Sequence, residues 1–235
     1  MSKIIMFGNQ KGGVGKTTLT CLCANAMSAK PFAENVSVVD ADKQQSIVKR
    51  RLADLQYFDG ETPYQVLQMT LGDFQNKNRG IYKLVQDHEY VFVDVAGKLD
   101  TNMSVEEQEI TKYLQYVHYL FIPFVPGNYS LESTTDYLKT VLKLKAKRDK
   151  AGRPLEIIGF VNMSEAQTLD DRFLLEELEE LKIMVNIRWM EAPLSRYALF
   201  RNADTLTSFY SKQSKDRAVI NFTKWFDEFN KIISE

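Results

Sequence analysis

The sequence predicts an α/β fold, a doubly wound and mainly parallel sheet flanked by helices, and three observations carry that prediction. Short, near-continuously apolar runs recur along the chain, helix-length amphipathic stretches separate them, and two of the runs end in aspartate. A sheet covered on both faces needs apolar residues at successive strand positions, whereas a sheet with one wet face would alternate apolar and polar residues.

Lys3 to Phe7 reads as the first strand, ending at Gly8, and a glycine-rich turn then leads into a helix over Thr17 to Ala29. Val36 to Val39 ends in Asp40 and Tyr90 to Val93 ends in Asp94, so both read as buried strands with a carboxylate at the C-terminal tip. Tyr119 to Phe124 and Leu155 to Val161 read as further strands, and another is placed at Ile183 to Ile187. Leu131, Thr135, Leu138 and Leu142 recur at helical spacing, as do Phe173, Leu174, Leu178 and Leu181, which is the stripe of a helix packed on a sheet. Thr62-Pro63 reads as a helix start, an N-cap before a first-turn proline. Asp73 to Gly80 reads as a loop and Lys147 to Pro154 as a charged turn. No repeat or low-complexity linker divides the chain, so residues 1–235 read as one domain.

Apolar residues make up 44% of the chain and charged residues 26%, which excludes disordered, collagenous and disulfide-scaffold classes. Thirty basic against 31 acidic side chains exclude a chain that binds polyanions over its whole surface; any nucleic-acid surface has to be a local patch. No apolar run is long enough for a secretory signal or a spanning helix, and the expectation is a cytoplasmic protein. Cys21 and Cys23 point roughly 200° apart on a helix, which suits neither a disulfide nor a metal, so they read as small buried residues.

The segment Gln10-Lys11-Gly12-Gly13-Val14-Gly15-Lys16-Thr17-Thr18 carries the most specific signal. Its glycines can take positive φ and let successive backbone N–H groups approach a phosphate, at the start of a helix whose dipole favours anions. Lys16 would reach the β- and γ-phosphates and the Thr17 hydroxyl would ligate Mg²⁺. The motif follows a strand and opens a helix, as that chemistry requires; a bare glycine-rich turn would need neither.

With a second lysine at Lys11, KGGVGKTT resembles the deviant Walker A motif of the ParA/MinD family of ATPases. VVDADKQQS, Val38 to Ser46, is similar to that family's second motif, although Lys43 stands where proline is usual. YVFVDVAG, Tyr90 to Gly97, resembles its Walker B strand in the form found in small ParF-type partition proteins, and LFIPFVPGNYSLE, Leu120 to Glu132, its proline-flanked strand. The resemblance implies an ATP-dependent, dimerising ATPase with ATP and Mg²⁺ as cofactors. Catalytic roles fall to Lys11, Lys16 and Asp42. Nucleotide binding falls to Gly12, Gly13, Val14, Gly15, Lys16, Thr17, Thr18 and Asn162, and the metal site to Thr17, Asp40 and Asp94. In this reading Lys11 reaches the partner subunit's phosphates, Asp42 orients or deprotonates the attacking water, and Asn162 reads the adenine edge. Taken singly, each aspartate also fits a helix cap or turn, and Asn162 a turn residue.

Two stretches are locally basic: residues 139–153, with seven basic side chains against Asp149, and residues 188–224, with seven against three acidic ones. The first also fits a solvated helix face. The resemblance implies nonspecific DNA binding through the second, in the ATP-bound homodimer at the nucleoid, and hydrolysis stimulated by a small DNA-binding or activator protein. The terminal helix, Asp216 to Ser234, carries Val219, Phe222, Phe226, Phe229 and Ile233 at helical spacing with mixed charges opposite, and reads as core-packing with no membrane role. The competing readings are a regulatory or positioning protein for a non-DNA cargo, and an amide ligase or synthetase on the same fold.

Overall fold

The computed structural model describes residues 2–95 and 106–235. In chain order the elements are β1 (Lys3–Phe7), α1 (Lys16–Ser28), β2 (Val36–Asp40), α2 (Ser46–Asp54), β3 (Gln65–Gln68), α3 (Leu71–Phe74), α4 (Ile81–Asp87), β4 (Tyr90–Asp94), α5 (Glu106–Leu114) and β5 (Tyr119–Phe124). They continue with α6 (Asn128–Lys150), β6 (Glu156–Ser164), α7 (Leu169–Met184), β7 (Arg188–Trp189), β8 (Leu194–Ser195), α8 (Ala198–Arg201) and α9 (Arg217–Ser234).

The strands form one sheet of order β3-β2-β4-β1-β5-β6-β7, with β8 pairing β6, and every pairing is parallel. The chain winds from β1 towards β2 and β3, then returns through β4 and passes to the other side at β5. The reversal lies at β1, whose C-terminal end is therefore the crevice where open α/β sheets bind ligands.

Strand alternation sends Ile5 and Phe7 into one core and Ile4 and Met6 into the other. On the first face α9 lays Phe222, Trp225, Phe226 and Phe229 over the sheet, with the Phe229 ring 4.7 Å from that of Phe121 and 6.0 Å from that of Phe7. Burying one such ring stabilises the fold by about 1.5–3 kcal/mol, so this helix belongs to the core, as its spacing predicts. Asp216 caps it, accepting the Ala218 N–H at 2.7 Å. Cys21 and Cys23 are buried and unbridged in the same core. Among the described residues no helix is long and apolar enough to cross a membrane.

Three expectations are corrected. Thr62-Pro63 opens no helix. It leads into the edge strand β3, because Gln65 to Gln68 find backbone partners along Ser37 to Asp40, and Arg51 of α2 anchors the carbonyl of Tyr64 at 2.7 Å. The strand expected at Ile183 to Ile187 is also displaced: α7 runs on through Met184, and pairing with β6 falls on Arg188 and Trp189. The α6 stripe is rotated as well, towards buried Thr134, Tyr137, Leu138, Val141 and Leu144, with Leu131 and Leu142 at its margin.

Candidate functional site

The turn between β1 and α1 is braced by neutral side chains. Asn9 is buried. It donates Nδ2 to the Pro123 carbonyl at 3.0 Å and to the Thr134 hydroxyl at 2.8 Å, while its Oδ1 accepts the Lys11 N–H at 2.9 Å. Gln10 reaches the Ser133 hydroxyl at 3.1 Å. From β6, Asn162 donates Nδ2 to the Val14 carbonyl at 2.9 Å.

Within this frame Gly13 and Gly15 adopt φ of 78° and 89°, a region that favours glycine. A Cβ on Gly15 would also lie 2.9 Å from Asn162 Nδ2, so the close packing of β6 demands glycine a second time. The turn opens on α1, whose N-terminus has no side-chain cap. Backbone N–H groups and the helix dipole thus converge on one concavity suited to an anion.

Lys16 is only 6% exposed, and its Nζ donates to the Lys11 carbonyl at 3.1 Å. Burial lowers its pKa, opposed by the nearby Asp94 and Asp42 carboxylates. Thr17 donates its hydroxyl to Asp94 Oδ2 at 2.8 Å. Asp94, at the tip of β4, is 1% exposed, its Oδ1 has no hydrogen-bond partner among the described residues, and burial pushes its pKa up to about 7 against the Thr17 hydrogen bond. A buried, half-satisfied carboxylate beside a hydroxyl fits Mg²⁺, which takes oxygen ligands and few of them from protein. Among the described residues no group of three or more His, Cys, Asp and Glu side chains could hold a metal.

Asp40 is buried with both oxygens engaged: Oδ1 accepts the Asp42 N–H at 3.2 Å, and Oδ2 accepts those of Ile47 and Val48 at 2.9 and 3.1 Å. It ties the start of α2 to the tip of β2, and burial raises its pKa against those hydrogen bonds. Asp42 is half-buried and accepts the Gln44 N–H at 2.8 Å.

Two adjoining cavities meet at the turn. One of about 410 Å³ is lined by Gly12, Gly13, Lys16, Thr17 and Asp42. The other, of about 470 Å³, is lined by Asn162, Leu194, Tyr197, Phe200 and Arg201, and both share Gly13, Gly15, Thr18 and Met163. Lys11 lines neither. The sequence reading missed Asn9 and the β8–α8 wall, although Pro193 just ahead of β8 marks the place where the chain turns back to the site. Ala96 and Gly97, which complete the fourth-strand motif, lie outside the described residues.

The basic stretches thin out in three dimensions. Arg148 is buried and donates to backbone carbonyls, so it leaves the first cluster. Arg188 pairs with Glu156 and Glu235, Arg196 with Glu165, and Lys212 with Asp227. Arg201, Lys215, Arg217 and Lys224 are exposed and carry no ion pair among the described residues.

The sequence model of the CobQ/CobB/MinD/ParA nucleotide binding domain matches residues 5–197. Nothing matches among curated protein sequences. Among solved structures the fold is similar to that of a Borrelia burgdorferi protein assigned to plasmid partition and bound to AMPPNP, with 17% identity, TM-score 0.65, and 98% of this chain and 99% of that one covered. An McdA variant from Cyanothece in complex with ATP superposes at TM-score 0.67 with 14% identity, over 97% and 96% of the two chains. Cobyrinic acid a,c-diamide synthase from Mycobacterium smegmatis, with ADP and magnesium, does so at 0.64 with 14% identity, over 100% and 96%.

Proposed function

The chain belongs to the CobQ/CobB/MinD/ParA nucleotide-binding family, and on that premise we propose that it is a ParA-type ATPase acting as one unit over residues 1–235, which binds ATP with Mg²⁺, dimerises in that state and hydrolyses ATP to ADP and phosphate. The observation that supports this best is the convergence of the glycine turn, buried Lys16, Thr17 and Asp42 on one cavity that adjoins a larger, partly aromatic one, with buried Asp94 held against the Thr17 hydroxyl.

The N–H groups from Gly12 to Thr18, Val14 included, bind the phosphates, and Lys16 supplies a charge with few competing waters around it. The base occupies the larger cavity, where Asn162 both holds the turn and offers an amide edge. Thr17 and, through water, Asp94 would hold Mg²⁺, which when bound would supply neutralisation of phosphate charge. Asp40 acts by fixing the segment that carries Asp42 and by adding to the negative field at Asp94. Asp42 faces the phosphate cavity, orients the attacking water and takes its proton. Lys11 lines neither cavity of its own chain and serves the partner subunit's phosphates, coupling assembly to hydrolysis.

The cellular role we favour is DNA partition, with exposed Arg201, Lys215, Arg217 and Lys224 as the source of nonspecific DNA affinity at the nucleoid and a small DNA-binding or activator protein as the stimulator of hydrolysis. The likeness to a diamide synthase keeps an amide-ligase reading as the rival; turnover of ATP with no acid or amine present separates the two. The primary test is Lys16→Ala, measured by calorimetric titration with ATP·Mg²⁺ and by phosphate release. Loss of binding or turnover supports the reading, and unchanged affinity with unchanged turnover overturns it.

A further inference from the structure

At the opposite edge of the sheet from the glycine turn lies a cavity of about 540 Å³ with apolar walls from Ile4, Ile81, Val85 and Pro154, and with Tyr82 and Tyr116 along one side. The two tyrosine rings stand 6.0 Å apart at 87°. Its charged lining is one-signed: Arg148 and Arg153 contribute, and no carboxylate does.

Arg148 is the unusual member. It is 3% exposed, and its guanidinium donates to the carbonyls of Arg153, Val117 and Pro154 at 3.1, 2.6 and 3.0 Å, and to that of Leu114. Those bonds satisfy donors, while the charge has only the more distant Asp149 to oppose it among the described residues. No carboxylate lies within ion-pair distance among the described residues, and neighbouring Asp149 is engaged by Lys145 at 3.1 Å. Burying a guanidinium without a counter-charge is costly, so an anion in this cavity would relieve that cost.

Two further polar groups line the cavity. The Ser2 hydroxyl is buried without a hydrogen-bond partner among the described residues. His118 accepts the Ile4 N–H at Nδ1 at 2.9 Å, which leaves Nε2 as the N–H of the neutral ring.

We infer that this cavity is a second ligand site, separate from the nucleotide site, for a small organic anion: a carboxylate or sulfonate head near Arg148 and Arg153 on an aromatic or aliphatic body between the tyrosines and Ile81. The volume falls in the range of small-molecule pockets, and a few polar groups among apolar walls is their usual composition.

The test uses the full chain with 1-anilinonaphthalene-8-sulfonate as probe and its uncharged analogue N-phenyl-1-naphthylamine as control. The expected result is saturable, one-to-one binding of the sulfonate that persists at saturating ATP·Mg²⁺ and is displaced by aromatic carboxylates. Arg153→Glu, an exposed position, should weaken it at least tenfold, and Val85→Trp should abolish it by filling the cavity. Equal affinity for the uncharged analogue, displacement by ATP, or indifference to both substitutions would each overturn the assignment. Because ATP binding is read separately in the same titrations, failure here is distinguishable from failure of the nucleotide reading.

Discussion

Asp94→Asn should make the ligand-free protein more stable above neutral pH while removing its response to Mg²⁺. Asp94 is enclosed by β4 and α1, its Oδ1 finds no donor, and burial raises its pKa from 3.8 to about 7. A carboxyl whose folded pKa lies above its unfolded one contributes stability that is fully present below the unfolded value, near pH 4. That contribution is lost as the pH rises through the folded value, near 7. Each pH unit between the two is worth about 1.4 kcal/mol, so the displacement corresponds to about 4 kcal/mol at pH 8. Asparagine keeps an acceptor for the Thr17 hydroxyl and never ionises.

The assay is urea unfolding of both proteins in EDTA at pH 5, 6, 7 and 8. Burial and Arg148 hold the His118 pKa below its ordinary value, so its stabilising contribution is present above about pH 6.5 and lost as the pH falls below it. That trend is common to both proteins and cancels in the difference. The variant should gain on the wild type from pH 5 to about pH 7 and level off above it, by about 2–3 kcal/mol across that window, and should lose any extra stabilisation that ATP·Mg²⁺ gives the wild type. A variant less stable than the wild type at pH 8, or a difference that does not change with pH, would refute the account of Asp94 as a buried anion waiting for a cation.

Asp42→Ala should leave ATP affinity near the wild-type value and cut turnover by about 10²–10⁴-fold, the usual contribution of a positioned base; wild-type turnover in a phosphate-release assay would show that Asp42 does not act on the water. Lys11→Ala should abolish the ATP-dependent shift from monomer to dimer in sedimentation and lower turnover by about 10³-fold, while ADP binding survives, since Lys11 lines neither cavity of its own chain; the same mass with either nucleotide in both proteins would count against a role between subunits. Lys215→Ala should flatten the salt dependence of ATP-dependent binding to random duplex DNA by about 0.9 in log–log slope. Arg196→Ala, whose charge already pairs with Glu165 at 2.7 Å, should change that slope less, and equal slopes for Lys215→Ala and the wild type would remove Lys215 from the surface.

The parts of the fold legible in sequence are those where burial leaves the strand no choice of residue. β1, β2, β4 and β5 are covered on both faces, so their apolar runs end where the strands end. β3 is an edge strand of Gln-Val-Leu-Gln, whose pairing comes from β2 and not from its own composition, and a local Thr-Pro helix signal misplaced it. Ile183 and Met184 are apolar yet 87% and 72% exposed at the end of α7, so apolarity there marks no strand. The glycine turn, Lys16 and Thr17 are legible because they lie within one short segment whose spacing sets their geometry, and Asp94 because it ends an apolar strand run. Asn9 and the β8–α8 wall are not, because their roles depend on contacts across more than 100 residues of chain, such as Asn9 with Thr134.

On the proposed function, the division between neutral and charged groups at the site would let one site report which nucleotide it holds. The turn is shaped by amides: Asn9 and Gln10 hold it to β5 and α6, and Asn162 holds it to β6. Those contacts are indifferent to the charge of a ligand, so the cradle keeps its shape with ADP or ATP. The ionisable groups behave oppositely. Lys16 and Asp94 are buried at a cost, and each is shifted towards its neutral form by that burial. A ligand that brings more phosphate charge and a cation relieves more of this cost, and the relief depends on the γ-phosphate. Asp40 would carry the same information outward: it fastens the Asp42 turn and the start of α2 to β2, next to Asp94, so a change in charge at β4 would act on the strand tip that positions Asp42. On the proposed function the nucleotide state would thus be registered by the buried charges, while the amide frame keeps the site in shape.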